Sequence, residues 1–530
     1  MRIVPSSRAG RRPGRAGAGG VSPDDSGRWS LTRRWYAPLP WPLAQRTTQR
    51  RRPGRPSAPG NQHHTARSVA HQRLREEAHR YPDLGLEPLD TGPIKGPGAG
   101  REAALAHAIY DAVMRRWITL EAIIAPHTSR PMHEMDSTVR AALLAGAAQL
   151  LLLERIPPHA AINEAVNWTR AAGKPKATGL VNAVLRRVSE TLTRGDEGWP
   201  VVLEGPATEH VGKADRLPLA DGRAIQLSGD AFPAETLPWL EQACGVPRAL
   251  IERWHARLGE AGAIEQCLHT LVHPPVVISH AHASEPVEAP EGQTLTPHER
   301  DGLSVLGPAG ASPRHLLKGR KDVWVQDATS AGALDVLAGL NASPTLIVDL
   351  CAGLGTKTRQ LRAMYPEATI LACDTNDARA RGLRRVFAKD EKTRVLDIED
   401  VRYEAAGKAD LVLLDVPCSN SGVLPRRPEA RYRLGFEQAA AQLERLTGVQ
   451  RDLVAQSRAM LVTGGHVVYA TCSMDAEENE HITQWACASA GFHLVRESFT
   501  LPAGLPGQPP SAYRDGGYAA LLAAQASEGR

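Results

Sequence analysis

Leu346-Ile347-Val348-Asp349-Leu350-Cys351-Ala352-Gly353-Leu354-Gly355-Thr356-Lys357-Thr358 is the stretch that decides the fold. Its first five residues form a short apolar run, the signature of a strand buried on both faces. The glycines mark a turn, and helical spacing follows from Thr358 to Met364. The alternation repeats downstream: a strand from Thr369 to Asp374, another from Thr393 to Leu396, a third from Leu411 to Asp415, a helix from Phe436 to Leu461, and a strand from His466 to Thr471. Apolar strands alternating with helices predict a parallel, doubly wound, Rossmann-like α/β sheet. Ligands of such sheets sit at the carboxyl ends of the strands.

Upstream the period changes. Ala103, Ala106, Ile109, Tyr110, Val113 and Trp117 recur at three- and four-residue intervals, as do Val139, Leu143, Ala147, Leu150 and Leu151, then Leu180, Val184 and Leu185. This predicts an all-α domain of about five helices. A chain of 530 residues exceeds one ordinary core. Four parts are expected: an Arg/Pro/Gly-rich extension over 1–62, the helical domain over 63–195, a linker and small connecting subdomain over 196–320, and the α/β domain over 321–530. Within the third part, a helical piece spans Leu237 to Leu258 and a strand spans Val276 to Ser279; 191–235 reads as linker or insertion.

Charge is unevenly placed. Residues 1–60 carry thirteen Arg and two Asp, a net +11 against +5 for the whole chain, so the rest carries −6. The body is mildly acidic, and any grip on nucleic acid comes from local patches or the arginine-rich tail. That tail cannot bury enough apolar surface to order itself; it reads as a variable extension, or an upstream start, in preference to an RNA-binding arm. The seven cysteines show no C-x-x-C pairing and no secretory h-region precedes them, pointing to reduced thiols in a cytoplasm. The most apolar stretch, Ala141 to Leu153, is too short to span a bilayer.

The unusual residues lie at the predicted strand ends. The glycine turn after Asp349 lacks the G-x-x-x-x-G-K-[ST] order, which excludes a nucleotide triphosphatase P-loop. Asp374, 25 residues after Asp349, suits a carboxylate bonding the ribose of a nucleoside cofactor. Two further ends read Asp415-Val416-Pro417-Cys418-Ser419-Asn420-Ser421-Gly422 and Tyr469-Ala470-Thr471-Cys472-Ser473, the latter followed by Glu477-Glu478-Asn479. A lone free cysteine is more often a core residue, but two at one ligand-binding edge beside Asp415 point to chemistry. No His or Cys stands at metal-ligand spacing around them. Thiolates suit methylation of cytosine at carbon 5: addition at carbon 6 makes carbon 5 enamine-like and ready to attack a methyl sulfonium.

These motifs, DLCAGLGTKT, DVPCSNSGVLPRRPEARYR and YATCSMDAEENE, resemble those of the RsmB/Sun family of bacterial ribosomal RNA cytosine-C5 methyltransferases, and Val325-Gln326-Asp327 resembles the opening of that family's catalytic domain. The helical region, with Ile156-Pro157-Pro158-His159-Ala160-Ala161-Ile162-Asn163-Glu164-Ala165-Val166 and Gly179-Leu180-Val181-Asn182-Ala183-Val184-Leu185-Arg186-Arg187, is similar to the NusB-like RNA-binding domain fused to it. The resemblance implies S-adenosylmethionine (SAM) as cofactor, 16S ribosomal RNA as partner, no metal or membrane, and a monomer. It makes Cys472 the nucleophile, Cys418 an aid to product release and Asp415 a contact to the base near the cofactor. Cys351, Ala352, Gly353, Leu354, Gly355, Thr356 and Lys357 would wrap SAM, with Asp374 at its ribose and Asp397, or Asp400, at its adenine. A tRNA methyltransferase and a non-catalytic RNA-binding protein are the alternatives.

Gly353, Leu354 and Thr356 stand where the family usually has Ala, Pro and Gly, and a positive φ at Thr356 would weaken cofactor binding. After Pro274-Pro275 the family's usual L-R-V-N is replaced by Val276-Val277-Ile278-Ser279, without the Arg. Arg426, Arg427, Arg431 and Arg433 with Tyr432 read as a phosphate-contacting lip or as a solvated loop, the arginines of 379–394 as the wet face of a surface helix, and His159 and Asn163 as capping or core polar residues.

Overall fold

The computed structural model describes residues 65–525, apart from 86, 155, 341–342 and 437–438. The expected extension over 1–62 lies outside the described residues.

Five helices open the described chain: α1 Ala66–Arg80, α2 Ala99–Ile124, α3 Ser137–Leu151, α4 Pro158–Ala171 and α5 Thr178–Glu190. Local chemistry sets their starts. Thr65 and Ser68 form a reciprocal capping box on α1, Asp136 accepts from Thr138 N ahead of α3, and Pro158 occupies the first turn of α4. The apolar run from Ala141 becomes α3, buried along nearly its whole length at the centre of the bundle. No described helix is long and apolar enough to cross a membrane. His159 and Asn163 lie exposed on α4, not in the core.

Of the two readings of 191–235, linker or insertion, the linker does not hold, because the stretch is folded. Val202–Leu203, Arg216–Pro218 and Ala224–Gln226 pair as a small antiparallel sheet, and Leu217, Ile225, Leu227 and Phe232 join the helical core. The periodicity missed it because its strands are only two or three residues long. The single helical piece expected from Leu237 to Leu258 is two helices, α6 Thr236–Cys244 and α7 Arg248–His269. They are separated where Gly245 adopts φ 71° and Pro247 starts the next helix. Both pack on the helical core. A four-stranded antiparallel sheet follows, ordered Thr294–Pro297, Leu303–Gly307, Val276–Ser279, Trp324–Val325, so the expected strand after Pro274-Pro275 is present. A ladder from Trp324 through Gln326 and Gln360 to the Ala331 carbonyl ties this sheet to the next domain.

The α/β domain holds β1 Leu346–Asp349, α8 Thr356–Met364, β2 Thr369–Ala372, α9 Asp377–Phe387, β3 Thr393–Val395, α10 Ile398–Ala405, β4 Ala409–Asp415, α11 Ala439–Met460, β5 Leu461–Thr471, α12 Glu480–Ser489, β6 Phe492–Thr500 and β7 Gly517–Ala524. Its seven-stranded sheet runs β3-β2-β1-β4-β5-β7-β6. β3, β2, β1, β4 and β5 are parallel, while β7 and β6 pair antiparallel. Strand residues alternate between two cores: Val348, Val412 and Val467 face one layer and Ile347, Leu411 and Val468 the other. Burial on both faces is why these strands read as unbroken apolar runs. Register places Asp349 opposite Ala372 and Leu413, and Asp415 opposite Ala470. The loops after β1, β2, β4 and β5 therefore leave the sheet at one edge.

Candidate active site

The loop after β1 is shaped by its glycines. Gly353 (φ 58°) and Gly355 (φ 86°) take the left-handed conformation that side chains disfavour. Ala352 N donates to Cys373 O and Gly353 N to Asp374 Oδ2 at 3.0 Å, fastening the loop to the end of β2. A Cβ on Gly353 would project into open space, whereas one on Gly355 would strike Leu383 and Phe387 at 2.8 Å. The open side at 353, the free amides starting α8 and the nearly buried Asp374 carboxylate together fit a nucleoside cofactor bearing ribose hydroxyls. Thr356 is the first residue of α8 and Asn420 is the one described non-glycine with positive φ, so the strain expected at Thr356 does not arise. Leu354 is 63% exposed and its side chain reaches toward Gly382 on α9. Asp397 stands apart at the start of α10, 80% exposed and paired with Arg384 at 2.7 Å; Asp400 is exposed on the same helix.

Beneath the loop, Asp349 is buried and accepts from Thr358 Oγ1 at 2.7 Å, while its Oδ1 has no hydrogen-bond partner. Burial pushes its carboxyl up to about 7. From α8, Lys357 Nζ reaches Asp415 Oδ2 at the end of β4, 2.8 Å away. Burial opposes the lysine charge, but Asp415 and then Cys472 more than offset it, and its pKa is raised. This ammonium belongs to the neighbourhood of the thiols.

The two cysteines meet. Cys418, three residues past β4, and Cys472, one past β5, have their sulfurs 3.1 Å apart. Cys472 Sγ also lies 3.3 Å from Asn420 Oδ1, and Asn420 Nδ2 donates to the Cys418 carbonyl. The positive φ of Asn420 (64°) folds this side chain back over its own loop, a conformation asparagine tolerates better than most residues. The bond with Cys472, burial and the charge of Glu478 push the Cys418 thiol up, so Cys418 holds its proton.

A polar cluster supports both loops. Glu478, fully buried, accepts from Ser419 N at 2.9 Å and from Gln450 Nε2 at 3.0 Å, and burial raises its pKa. Asp475 Oδ2 accepts from the hydroxyls of Ser419, Ser421 and Ser473 at 3.1, 2.9 and 3.3 Å. Asn479 bridges Thr471 Oγ1 and Ser473 O. Of these, only the E-E-N run drew notice in the sequence. The roles of Asp475 and the serines were hidden because the strand ends that converge here are about 55 residues apart in the chain.

The arginine-rich segment after Cys418 is neither a lip nor a solvated loop. Arg431 and Tyr432 are fully buried against the helical domain. Arg431 donates to the carbonyls of Arg115, Gly245 and Thr270, and the Tyr432 hydroxyl donates to Met114 O and accepts from Trp117 N. Arg426 binds Asp515 and Asp327, and Arg433 donates to Leu84 O. Arg427 is the exposed member. The arginines of α9 do lie in water, as expected.

Residues 337–499 match the family model described as 16S rRNA methyltransferase RsmB/F, and residues 72–190 match that of the NusB family. The ribosomal RNA small subunit methyltransferase B of Xanthomonas campestris pv. campestris is 29% identical over 404 residues, covering 74% of this chain and 80% of that protein. The protein of the same name from Salmonella enteritidis is 30% identical over 402 residues, covering 73% and 82%. Among solved structures, that of PH0851 aligns with a TM-score of 0.59 at 21% identity, covering 88% of this chain and all of the other, which shows a shared fold. The cofactor of this family is SAM, and the glycine loop with Asp374 offers the chemistry to hold it. The chain belongs to the RsmB/F family of 16S rRNA methyltransferases, with a NusB-like helical domain ahead of a SAM-dependent catalytic domain.

Proposed function

We propose that the protein methylates carbon 5 of a cytosine in small-subunit ribosomal RNA through a covalent bond from Cys472. The observation that carries this reading is the meeting of two thiols, 3.1 Å apart, at neighbouring strand ends beside the Lys357–Asp415 pair. The family resemblance gives the nucleophile's role to Cys472, and the burial that pushes the Cys418 thiol up suits Cys418 to the assisting part. Cys472 Sγ adds to carbon 6 of the cytosine, and the electrons of the 5,6 double bond move to make carbon 5 nucleophilic. Asp415, one oxygen held by Lys357, offers the other as acceptor to the exocyclic amino group of the base. SAM, when bound, would supply an electrophilic methyl on its sulfonium to carbon 5 and leave as S-adenosylhomocysteine. Loss of the carbon 5 proton to a base and rupture of the Sγ–C6 bond then restore the ring, a step Cys418 assists from its place beside Cys472. Cys351 to Lys357 would wrap the cofactor, with Asp374 at the ribose and the Asp397 turn at the adenine. The cytosine must leave its stack to reach the sulfur, so a single-stranded or flipped base is the substrate.

Unmodified 16S ribosomal RNA and tRNA, each incubated with methyl-labelled SAM and mapped by bisulfite, test the reaction. Label at carbon 5 of a cytosine in the ribosomal RNA is expected; label in tRNA alone, or none, overturns the substrate or the chemistry. Cys472→Ala should abolish covalent attachment to RNA, and Cys418→Ala should trap the protein on it; the reverse pattern exchanges their roles.

A further inference from the structure

The helical half of the molecule grips both cysteine loops. α2 is broken at Arg116 (φ −124°, ψ 24°), which opens the helical hydrogen-bond ladder around Met114, Arg115 and Trp117. The backbone groups exposed by the break are taken by Tyr432 and Arg431, which follow the Cys418 loop. A second link runs to the other loop. Arg253, on α7, pairs through Nη2 with Asp475 Oδ1 at 2.6 Å; one turn on, Arg257 pairs with Glu480 at the same distance. Leu250, Ile251 and Trp254 seat that helix in the helical core. The second oxygen of Asp475 accepts from Ser419, Ser421 and Ser473, the residues that flank the two cysteines. One carboxylate, 5% exposed, thus receives α7 on one side and both cysteine loops on the other.

We propose that Arg253 and Asp475 are positioning residues for methyl transfer: Arg253 orients the Asp475 carboxylate, and that carboxylate sets the spacing of the Cys418 and Cys472 loops. The segment between the NusB-like helices and the catalytic domain is then, through α7, a working part of the active site. This rests on the reading of Cys472 as nucleophile. A thiolate must meet carbon 6 within bonding reach while carbon 5 faces the methyl, and misplacement by about 1 Å costs on the order of 100-fold in rate. Without Arg253 the carboxylate keeps its serines but loses the partner that fixes its plane.

The test is steady-state kinetics of full-length Arg253→Ala, Arg253→Lys and Asp475→Asn on a 16S ribosomal RNA transcript. Arg253→Ala should lower kcat about 10- to 100-fold, with KM for RNA within about twofold of the parent and most of the rate restored in Arg253→Lys. Asp475→Asn keeps an acceptor for the serines, loses the ion pair and should fall in the same direction, which carries the test if Arg253→Ala does not fold. A raised KM with kcat unchanged would make Arg253 an RNA-docking residue, and an unchanged kcat in both variants would remove the role; either result overturns the proposal. Covalent RNA adduct is then timed in Cys418→Ala with and without Arg253→Ala. Slower adduct formation at equal RNA occupancy supports the proposal, and equal rates overturn it. No adduct even with Arg253 intact would sink the cysteine chemistry instead, leaving the kcat comparison to decide the role of Arg253.

Discussion

Two arginine-bearing stretches look alike in the sequence and end in opposite surroundings. On α9, Arg379, Arg381, Arg384 and Arg385 stand in water, with ion pairs to Asp374 and Asp397 as their charged contacts. At 426–433, Arg431 is fully buried and, among the described residues, donates to three backbone carbonyls contributed by α2, the end of α6 and the end of α7 and pairs with no carboxylate. The difference lies in the receiving structure. Helix ends and a broken helix carry orphan carbonyls that need donors, and a guanidinium supplies several N–H groups in one plane. The exposed stretch has no such host, and the amphipathic spacing of α9, with Ala380, Leu383 and Phe387 inward, sends its arginines outward.

Removing the buried partner should be the costliest change. Arg431→Ala strips donors from the Arg115, Gly245 and Thr270 carbonyls and leaves a void, so a loss of about 3 kcal/mol or more in urea unfolding is expected. A loss below about 1 kcal/mol would mean that water replaces the guanidinium and that burial does not separate the two stretches.

Asp349 extends the comparison to a buried group that can discharge. Arginine keeps its proton in proteins and must be solvated by the fold, whereas the Asp349 carboxyl, with one oxygen unpartnered, is pushed up to about 7 by burial from an ordinary value of 3.8. Between those values the folded state holds more protons than the unfolded chain. Its contribution is therefore present below about pH 4 and is lost as pH rises through about 7. Asp349→Asn should flatten the fall in unfolding free energy between pH 4 and 7. Parallel pH slopes for parent and variant would show that Asp349 titrates at its ordinary value.

Tyr432→Phe is smaller. It preserves the ring tilted against Tyr81, which itself stacks on Trp117, but leaves Met114 O and Trp117 N, both at the α2 break, without their partner. A loss of about 1–3 kcal/mol is expected from unsatisfied buried backbone groups, read as a lower urea midpoint at unchanged slope.

The centre of the sheet was legible because β1, β4 and β5 are covered on both faces, whereas β6, largely exposed, and β7 were not read from the sequence. Runs such as Leu346 to Leu350 and Leu411 to Asp415 announce burial without needing a partner to be named, and the motif cysteines fall where parallel strands must end. The fates of Arg431 and Tyr432 were not legible. They depend on the break at Arg116, some 315 residues away in the chain, and nothing local in either segment records the other. The short strands over 202–226 escaped for a different reason: a two- or three-residue strand carries no period. Asp475 sits in a plain S-M-D-A-E-E-N-E stretch, and its importance is visible only once β4 and β5 lie side by side and α7 brings Arg253 to its far oxygen.

The smallest effect belongs to the exposed stretch. Arg381→Ala replaces a solvated side chain with the best helix former in the interior of α9. The charge gives up no buried partner, so the unfolding free energy should stay within about 0.5 kcal/mol of the parent. If Arg381 met RNA phosphates, affinity would drop and its salt dependence would shallow by about one counterion while stability held. A stability loss rivalling that of Arg431→Ala would instead mean that α9 is held by its arginines and not by Leu383 and Phe387, and the contrast between the two stretches would collapse.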